Sequence, residues 1–326
     1  MNNEIIKRGT LKEKPRIVAF LNENWGDNHP LVNNDVFFDY YYLDGENINF
    51  YYLEDNGEIA AICGYIKCSQ QPNSDIWVSI WCAKKGKNGL GLSLMGAMQQ
   101  LTGAKIMSCN NIRENTMAFY TFLGYFPNKM AHYYRLRDLN KYNIPQVALK
   151  VILPSQKTEN VTLTQFHNIT EIENFFSLNA AAKPYKDYWY IDKRYFKNPY
   201  YSYKIFGIFV KNICTSLVIF RINEGDEGKV LRLVDYIGLP QNFKLLNGFI
   251  DEIICRFDCE YCDMYSFGVD GQSAGFSMVN EIDGNIIPNY LNPIMLKNSD
   301  YFFFTTDETD FMMFKADGDQ DRKNII

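Results

Sequence analysis

An apolar strand, a basic glycine-rich loop and an apolar helix follow one another directly in this sequence, and that order restricts the possible folds. The alternation of side chains predicts the strand over residues 75–82, and the loop follows over residues 84–91. The first amides of a helix have no intrahelical partner and lie at the positive end of its dipole, so such a junction attracts phosphate. In the helix, apolar residues recur three or four positions apart: Leu94, Ala97, Met98 and Leu101.

The loop matches neither of two common phosphate-binding patterns. Its glycines Gly86, Gly89 and Gly91 lack the spacing of a dinucleotide-binding loop, and no Gly-Lys-Ser/Thr follows them as in a P-loop. Glycines alone would also fit an ordinary surface turn. The function of the loop therefore depends on the surrounding chain.

The rest of the first half has the elements of a mixed α/β unit. A short apolar helix begins at Arg16, and a turn at residues 55–57 joins two strands, 47–54 and 58–67. Gly103 stands where a left-handed helix cap belongs. Further elements are a strand over residues 105–109, a helix over 115–123, and a strand over 131–136 that completes the unit.

The second half repeats this order of elements weakly, which indicates a tandem duplication. Residues 154–160 are polar and predict a linker between residues 1–153 and residues 161–326. After the second central strand stands Pro240, which has no amide to offer to a phosphate. We therefore expect an α/β (α+β) fold of two tandem domains, each a mixed central sheet flanked by helices, the second degenerate.

The composition excludes several classes of protein. Hydrophobic residues make up 47% of the 326 residues and charged residues 22%, as in globular proteins. The net charge of −5 and the lack of a basic stripe argue against nucleic acid as a partner. No apolar stretch is long enough for a signal peptide or a membrane span, so we expect eight reduced cysteines in a cytoplasmic protein without membrane insertion. The aromatic content of 16% could fill two cores and still line a pocket.

Two motifs resemble those of one family. The sequence Gly89-Leu-Gly91 after an apolar strand resembles the pyrophosphate loop of the GNAT superfamily of acyl-CoA N-acyltransferases. The segment over residues 115–125 resembles the closing helix of that family, and the similarity covers roughly residues 15–137. The resemblance implies that each domain is GNAT-like and that the first binds an acyl-CoA.

The resemblance also implies a set of coenzyme-binding residues and no metal. Acetyl-CoA or another acyl-CoA would be the co-substrate, with its pyrophosphate on the loop amides. Gly86 stands where the family usually has Gln or Arg, so Lys85 or Lys87 would supply the side-chain contact. The implied coenzyme-binding residues are Trp81, Cys82, Lys85, Gly86, Lys87, Asn88, Gly89, Leu90, Gly91 and Asn115.

For catalysis, the resemblance places Tyr120 on the tyrosine that protonates the departing thiolate. The asparagine usually found seven residues earlier is Arg113 here, and a helix tyrosine is also often a simple core residue. His29 is a candidate general base, although a histidine next to a proline often only fixes a loop.

For the acceptor, the resemblance and the residue types suggest Trp25, Asp39, Trp77 and Ser79 as substrate-binding residues. Strand alternation predicts that Trp77, Ser79 and Trp81 share one face. Packing within a core or sheet is the alternative for these side chains.

Three further patterns occur in the second half. The cysteines of residues 255–262 have the CxxxCxxC spacing of an iron–sulfur motif, but buried thiols explain them better. Asp317, Asp319 and Asp321 begin a calcium-loop pattern that has Arg322 in place of glycine, and a solvated tail is the simpler expectation. This tail and residues 193–203 resemble segments of tandem GNAT-like proteins associated with bacterial surface-polysaccharide clusters.

The resemblance therefore implies an acyltransferase of the GNAT type that acts on a small amine acceptor. The resemblance suggests a nucleotide-linked amino sugar and a role in polysaccharide biosynthesis. Two alternatives remain: a binding module that has kept the fold without the chemistry, and an aminoacyl-tRNA-dependent peptide-bridge ligase. The general base, the acyl chain length and the oligomeric state stay open.

Overall fold

The computed structural model describes residues 4–26, 29–280, 282–289, 291 and 294–321. Within these residues the chain forms two eight-stranded mixed sheets flanked by helices. The expected fold class, α/β with two mixed sheets, is therefore confirmed.

The strands are numbered in chain order. They are β1 (Glu4–Thr10), β2 (Leu43–Asp44), β3 (Asn47–Asp55), β4 (Glu58–Lys67), β5 (Ile76–Ala83), β6 (Met107–Ile112), β7 (Phe126–Lys129), β8 (Ala131–Leu136), β9 (Val161–Phe166), β10 (Lys204–Val210), β11 (Ile213–Gly225), β12 (Gly228–Gly238), β13 (Tyr261–Phe267), β14 (Ser277–Met278), β15 (Phe302–Thr305) and β16 (Met313–Phe314).

The α-helices are α1 (Lys14–Asn24), α2 (Pro30–Asn33), α3 (Asp35–Tyr42), α4 (Asn88–Thr102), α5 (Met117–Phe122), α6 (Ile169–Phe175), α7 (Tyr188–Ile191) and α8 (Ile250–Arg256). The first sheet has the order β1-β3-β4-β5-β6-β15-β7, with β2 paired to β3. The second has the order β14-β8-β13-β12-β11-β10-β9, with β16 paired to β13.

The two halves exchange strands. β8 was expected to complete the first unit, but it lies in the second sheet, antiparallel to β13. Its expected place in the first sheet is taken by β15, which lies between β6 and β7 and pairs with both. Neither sheet is therefore built from one half of the sequence alone, and the predicted division at residues 153 and 161 stays a prediction.

β5 and β6 are joined only at one end. Their parallel ladder consists of two pairs, Ile76 with Met107 and Trp77 with Ser108, although the strands continue to Ala83 and Ile112. The edge of β5 beyond this ladder is therefore not covered by β6. This is the edge that leads to the glycine-rich loop.

The helix after that loop forms as the sequence predicts. α4 ends at Thr102, and Gly103 caps it with a φ of 68° in the left-handed conformation. Its apolar stripe buries Leu94 and Met98 against the first sheet. In the second half, residues 240–256 form a 3₁₀ segment, Pro240–Gly248, followed by α8.

Candidate active site at the β5–α4 junction

The N-terminus of α4 has free backbone amides. Lys87 is the N-cap residue, and its side chain does not cap the helix. Among the described residues, the amides of Asn88 and Gly89 have no hydrogen-bond partner. Gly86 turns the loop with a φ of 82°, and a Cβ added to Gly89 would meet no atom within 4 Å. The junction therefore presents two amides to open space, at the end of a helix where an anion is stabilised.

The three loop lysines are held differently. Lys84 pairs with Glu58 at 3.0 Å and Lys87 pairs with Asp55 at 2.7 Å, both at the tip of the β3–β4 hairpin. Among the described residues, Lys85 has no ion-pair partner. Lys85 and Lys87 are the two lysines expected to contact phosphate. Among the described residues, Lys85 is the one of the two whose charge is not neutralised by an ion pair.

A bulge in β5 changes the predicted faces of the strand. The β4–β5 ladder shifts register opposite residues 79–80, so β5 carries one extra residue there. Ser79 and Ile80 consequently both lie on the Trp77 side: the Ser79 hydroxyl bonds Tyr42 at 2.7 Å, and Ile80 packs in the same core as Trp77. Trp81 packs on the opposite side, against the α4 core. The expectation that Trp77, Ser79 and Trp81 share one face is therefore wrong, because the bulge inverts the alternation after residue 79.

On the α4 side, β5 and the helix are in close contact. The Trp81 indole N–H donates to the carbonyl of Gly91 at 3.0 Å. A Cβ on Gly91 would lie 2.9 Å from the Cβ of Ala83, so this contact requires glycine. Leu90 packs against the same core. Cys82 lies on the other face, where burial raises the pKa of its thiol to about 12 and keeps it protonated.

Tyr120 lies on the same side as Trp81. It is buried in the α4 core, 6.0 Å from the Trp81 ring and stacked on Phe304 at 4.3 Å. Burial raises the pKa of its hydroxyl far above the usual range, so the group is a protonated O–H at neutral pH. Asn115 lies apart from it, exposed on a 3₁₀ turn, Glu114–Thr116. The structure thus brings Tyr120 and Trp81 together and leaves Asn115 at the surface.

His29 caps a helix. Its Nδ1 accepts a hydrogen bond from the Leu31 amide at 3.2 Å, and its ring lies 4.4 Å from that of Trp25. A neutral imidazole that accepts at Nδ1 carries its proton on Nε2. The ring then has no free lone pair for a second proton while this cap is in place. This contact favours the loop-fixing role over the role of general base.

Asp39 and Trp77 face different neighbours. Asp39 pairs with Lys14 at 2.7 Å on the side of α1. Trp77 is completely buried, and its indole N–H has no hydrogen-bond partner among the described residues. The suggested acceptor residues are therefore not gathered at one point: Trp25 lies with His29, Trp77 with Ser79, and Asp39 with Lys14.

Sequence reasoning missed the segment that covers Trp77. Residues 315–321 are almost entirely buried, so the expected solvated tail is wrong. The Asn110 amide donates to the carbonyl of Asp317 at 3.3 Å. A Cβ on Gly318 would lie only 3.4 Å from that of Trp77. The tail thus lies on the Trp77 face of the first sheet, where β5 and β6 diverge.

An ion-pair network holds the start of this tail. Lys186 lies 2.6 Å from both the Asp317 and the Asp235 carboxylates, and Tyr195 donates to Asp235. Burial raises the pKa of Asp317 to about 7, and the Lys186 ammonium opposes that rise. Apart from the repeated aspartates, nothing in the local sequence pattern indicates that these groups meet.

The end of the tail binds the other segment singled out in the sequence, residues 193–203. Arg194 forms a buried ion pair with Asp321, and the Tyr203 hydroxyl donates to the same carboxylate at 2.5 Å. Arg221 donates to the Asp321 carbonyl. The two segments with the surface-polysaccharide resemblance are therefore in direct contact.

The metal-like patterns have other contacts. No group of three or more His, Cys, Asp or Glu side chains that could hold a metal occurs among the described residues. The tail aspartates at 317 and 321 are paired with cations, and Arg322 lies outside the described residues. Cys259 and Cys262 are buried and Cys255 is exposed. In the described part of the chain, no helix has the length and apolarity needed to cross a membrane.

Comparisons with known proteins identify the fold. No protein-family model matches the chain, and no curated protein matches its sequence. A GCN5-related N-acetyltransferase from Anabaena variabilis ATCC 29413 superposes with a TM-score of 0.55 at 11% identity, over 94% of this chain and 74% of that one. A conserved protein from Enterococcus faecalis V583, described as a probable N-acyltransferase, superposes with a TM-score of 0.55 at 11% identity, over 93% of this chain and 72% of that one. A GCN5-related N-acetyltransferase from Kribbella flavida superposes with a TM-score of 0.50 at 11% identity, over 93% of this chain and 71% of that one. At these identities the similarity shows a shared fold across most of the chain.

Proposed function

We propose that this protein is an acyl-CoA-dependent N-acyltransferase that transfers an acyl group, with acetyl as the first choice, to a small amine. The observation that carries the proposal is the pair of unpartnered amides, Asn88 and Gly89, at the start of α4 beside the uncovered edge of β5. Helix amides of this kind bind pyrophosphate. The fold shared with N-acetyltransferases supports the same chemistry.

The coenzyme would bind along the α4 side of the junction. The pyrophosphate would accept hydrogen bonds from the two amides, with Lys85 as the unpaired cation beside them. The acyl thioester would then extend along β5, and a strand amide next to the bulge at residues 79–80 would stabilise the oxyanion. The residues present fit a coenzyme with an anionic head and an apolar arm.

In the proposed reaction the acceptor amine attacks the thioester carbonyl, and the tetrahedral intermediate collapses with loss of the coenzyme thiolate. Tyr120 would protonate that thiolate, since its buried hydroxyl keeps its proton at neutral pH, and the proton lost by the attacking nitrogen, carried away by water, would restore the Tyr120 hydroxyl. The acceptor would approach on the side of the first sheet where α3 packs, since Ser79 contacts Tyr42 of α3 and Asp39 lies on that helix; Trp77, buried beneath the tail, would not contact the acceptor directly. We propose a nucleotide-linked amino sugar as the first acceptor to test, because the tail and residues 193–203 carry the surface-polysaccharide resemblance.

A thermal-shift titration with acetyl-CoA and longer acyl-CoAs tests the proposal. A ligand at one hundred times its dissociation constant adds about 2.7 kcal/mol to the free energy of unfolding. A saturable rise in melting temperature, with release of free thiol when an amine acceptor is added, is expected. No shift with any acyl-CoA would exclude the enzyme, whereas a shift without thiol release across a panel of amino sugars would favour the non-catalytic binding module.

A further inference from the structure

The buried tail crosses the gap where β5 and β6 separate. On the β5 side, a Cβ added to Gly318 would lie 3.4 Å from the Cβ of Trp77. On the β6 side, the Asn111 amide donates to the side-chain oxygen of Gln320 at 2.9 Å. Asp319 is the residue between these two contacts, so the chain places it at the gap itself. This is the part of the first sheet where the acyl thioester would lie.

The three aspartates of the tail are held in different ways. Asp317 and Asp321 form buried ion pairs with cations of the second half. Asp319 is 2% exposed, and the side-chain amide of Gln320 donates to its Oδ1 at 2.6 Å. The outer two aspartates thus fix the ends of the tail, whereas a neutral amide orients the carboxylate at the gap.

Cys109 of β6 connects Asp319 with Tyr120. Burial and the Asp319 carboxylate raise the pKa of the Cys109 thiol, which belongs to the α4 core. Burial raises the pKa of Tyr120 in the same core, and Cys109 adds to that rise. The thiol is thus a neighbour of both groups. Because the tail lies on the Trp77 face and Tyr120 on the α4 face, the carboxylate and the phenol lie on opposite sides of the sheet at the gap.

The acceptor side of the sheet also adjoins Asp319. Tyr41 lies on α3, and burial raises the pKa of its hydroxyl, with the Asp319 carboxylate among the charges that add to the rise. Gln320, next to Asp319, is partly exposed, so water reaches this end of the tail. An amine that approaches from α3 therefore finds a carboxylate near the gap, with solvent close enough to take up a proton.

We propose that Asp319 is the general base of the acyl transfer, an inference that rests on the proposed function. Asp319 takes one proton from the ammonium form of the acceptor and passes it to solvent, which frees the nitrogen lone pair. The neutral nitrogen then bonds to the carbonyl carbon, the carbon–sulfur bond breaks, and the thiolate takes the Tyr120 proton. The second proton of the nitrogen, carried by water, restores the Tyr120 hydroxyl. Ammonium and thioester thus give amide, thiol and one released proton.

The pH dependence of thiol release from acetyl-CoA tests the proposal on the full chain, with glucosamine as the first amino sugar of the panel. Asp319→Asn keeps the shape of the side chain but can use only acceptor molecules that are already neutral. Below the pKa of the amine, its kcat/KM for the amino sugar should therefore rise about tenfold per pH unit. The wild-type protein should rise less steeply and exceed the variant about a hundredfold at the acid end of the profile. KM for acetyl-CoA should be the same in both proteins.

A variant with a loosened tail separates the base from a merely structural role. Tyr203→Phe removes one hydrogen bond to Asp321 and keeps Asp319, so it should keep the wild-type slope. Urea denaturation shows whether Asp319→Asn is folded. An activity loss in Asp319→Asn that is equal at every pH would assign Asp319 to the structure of the tail and overturn the inference, and so would a steeper slope in Tyr203→Phe.

The wild-type profile is a test that needs no variant. A full tenfold rise per pH unit in the wild-type protein would show that no group of the protein deprotonates the acceptor, and it would overturn the inference while the acyltransferase stands. The absence of thiol release by the wild-type protein with every amino sugar of the panel would instead overturn the proposed function, and this inference with it.

Discussion

Arg194 and Asp321 form a buried ion pair although they lie 127 residues apart in the sequence. The Arg194 guanidinium also donates to the Ala316 carbonyl at 3.0 Å. Arg194 thereby binds the tail at two points, and Arg221 and Tyr203 bind Asp321 as well. The tail is thus an internal segment that connects the second half to the Trp77 face of the first sheet.

Replacing Asp321 with Asn should destabilise the protein strongly. Arg194 and Arg221 would then be buried without a carboxylate, and breaking a buried pair typically costs about 3–5 kcal/mol. Urea denaturation measures the free energy of unfolding. Asp138→Asn is the control, because Asp138 pairs with Lys150 at the surface with 71% of its side chain exposed, and such pairs contribute at most about 1 kcal/mol. Equal losses in the two variants would show that Asp321 does not hold the tail.

Local sequence signals predicted the β3–β4 hairpin and the end of α4. The hairpin at residues 55–57 forms with positive φ at Asn56 and Gly57, and Gly103 caps α4 in the left-handed conformation. The hairpin turn and the helix cap each depend on a few neighbouring residues, so both can be predicted from the local sequence.

Features set by distant contacts could not be predicted. The pattern of residues 131–136 predicts a strand, but it does not determine which sheet that strand joins. In the structure this strand, β8, pairs with β13 in the second sheet, and β15 takes the position expected for it by pairing with β6 and β7. The bulge at residues 79–80 depends on the partner strand, so simple alternation misplaced Trp81. Burial of the tail depends on Lys186 and Arg194, which no local pattern connects to it.

Replacing Gly91 with alanine should lower the free energy of unfolding, whereas replacing Gly89 should not. In Gly91→Ala the new Cβ would lie 2.9 Å from that of Ala83, and overpacking of this kind costs about 1–3 kcal/mol of unfolding free energy. In Gly89→Ala the Cβ meets no atom within 4 Å, so stability should not fall. If the coenzyme binds there, Gly89→Ala should instead weaken acetyl-CoA binding about tenfold, or about 1.4 kcal/mol. Urea denaturation and calorimetry separate the two effects, and equal destabilisation of both variants would contradict the prediction.

Replacing Tyr120 with Phe should lower turnover without changing coenzyme affinity. The phenylalanine ring can still pack against Trp81 and Phe304, and only the proton donor is lost. General acid catalysis typically contributes about 10²–10⁴-fold to the rate, so kcat should fall within that range while KM for acyl-CoA stays nearly constant. Tyr125→Phe is the matched control: Tyr125 also stacks on Phe304, but its hydroxyl donates to the Met95 carbonyl. Unchanged turnover in Tyr120→Phe would remove this residue from the mechanism.

His132 should make a destabilising contribution to the free energy of unfolding in acid. This ring is buried, stacks on Tyr265 at 4.0 Å and lies 3.3 Å from the Asp263 carboxylate. Burial lowers the pKa of His132, with Arg232 and Lys315 acting in the same direction and Asp263 against it.

Below the unfolded-state pKa of about 6.5, the unfolded chain therefore binds a proton that the folded chain does not. His132 should then lower the free energy of unfolding as the pH falls from about 7 toward 5, by up to about 1.4 kcal/mol per pH unit for one proton, while Asp317, whose pKa is raised to about 7, acts in the opposite direction over this range. His132→Phe keeps an aromatic ring and should remove this contribution, so that its slope in urea denaturation differs from that of the wild-type protein, whereas His167→Phe, at an exposed position, should leave the slope unchanged. An equal slope in His132→Phe and the wild-type protein would show that another group controls the acid response.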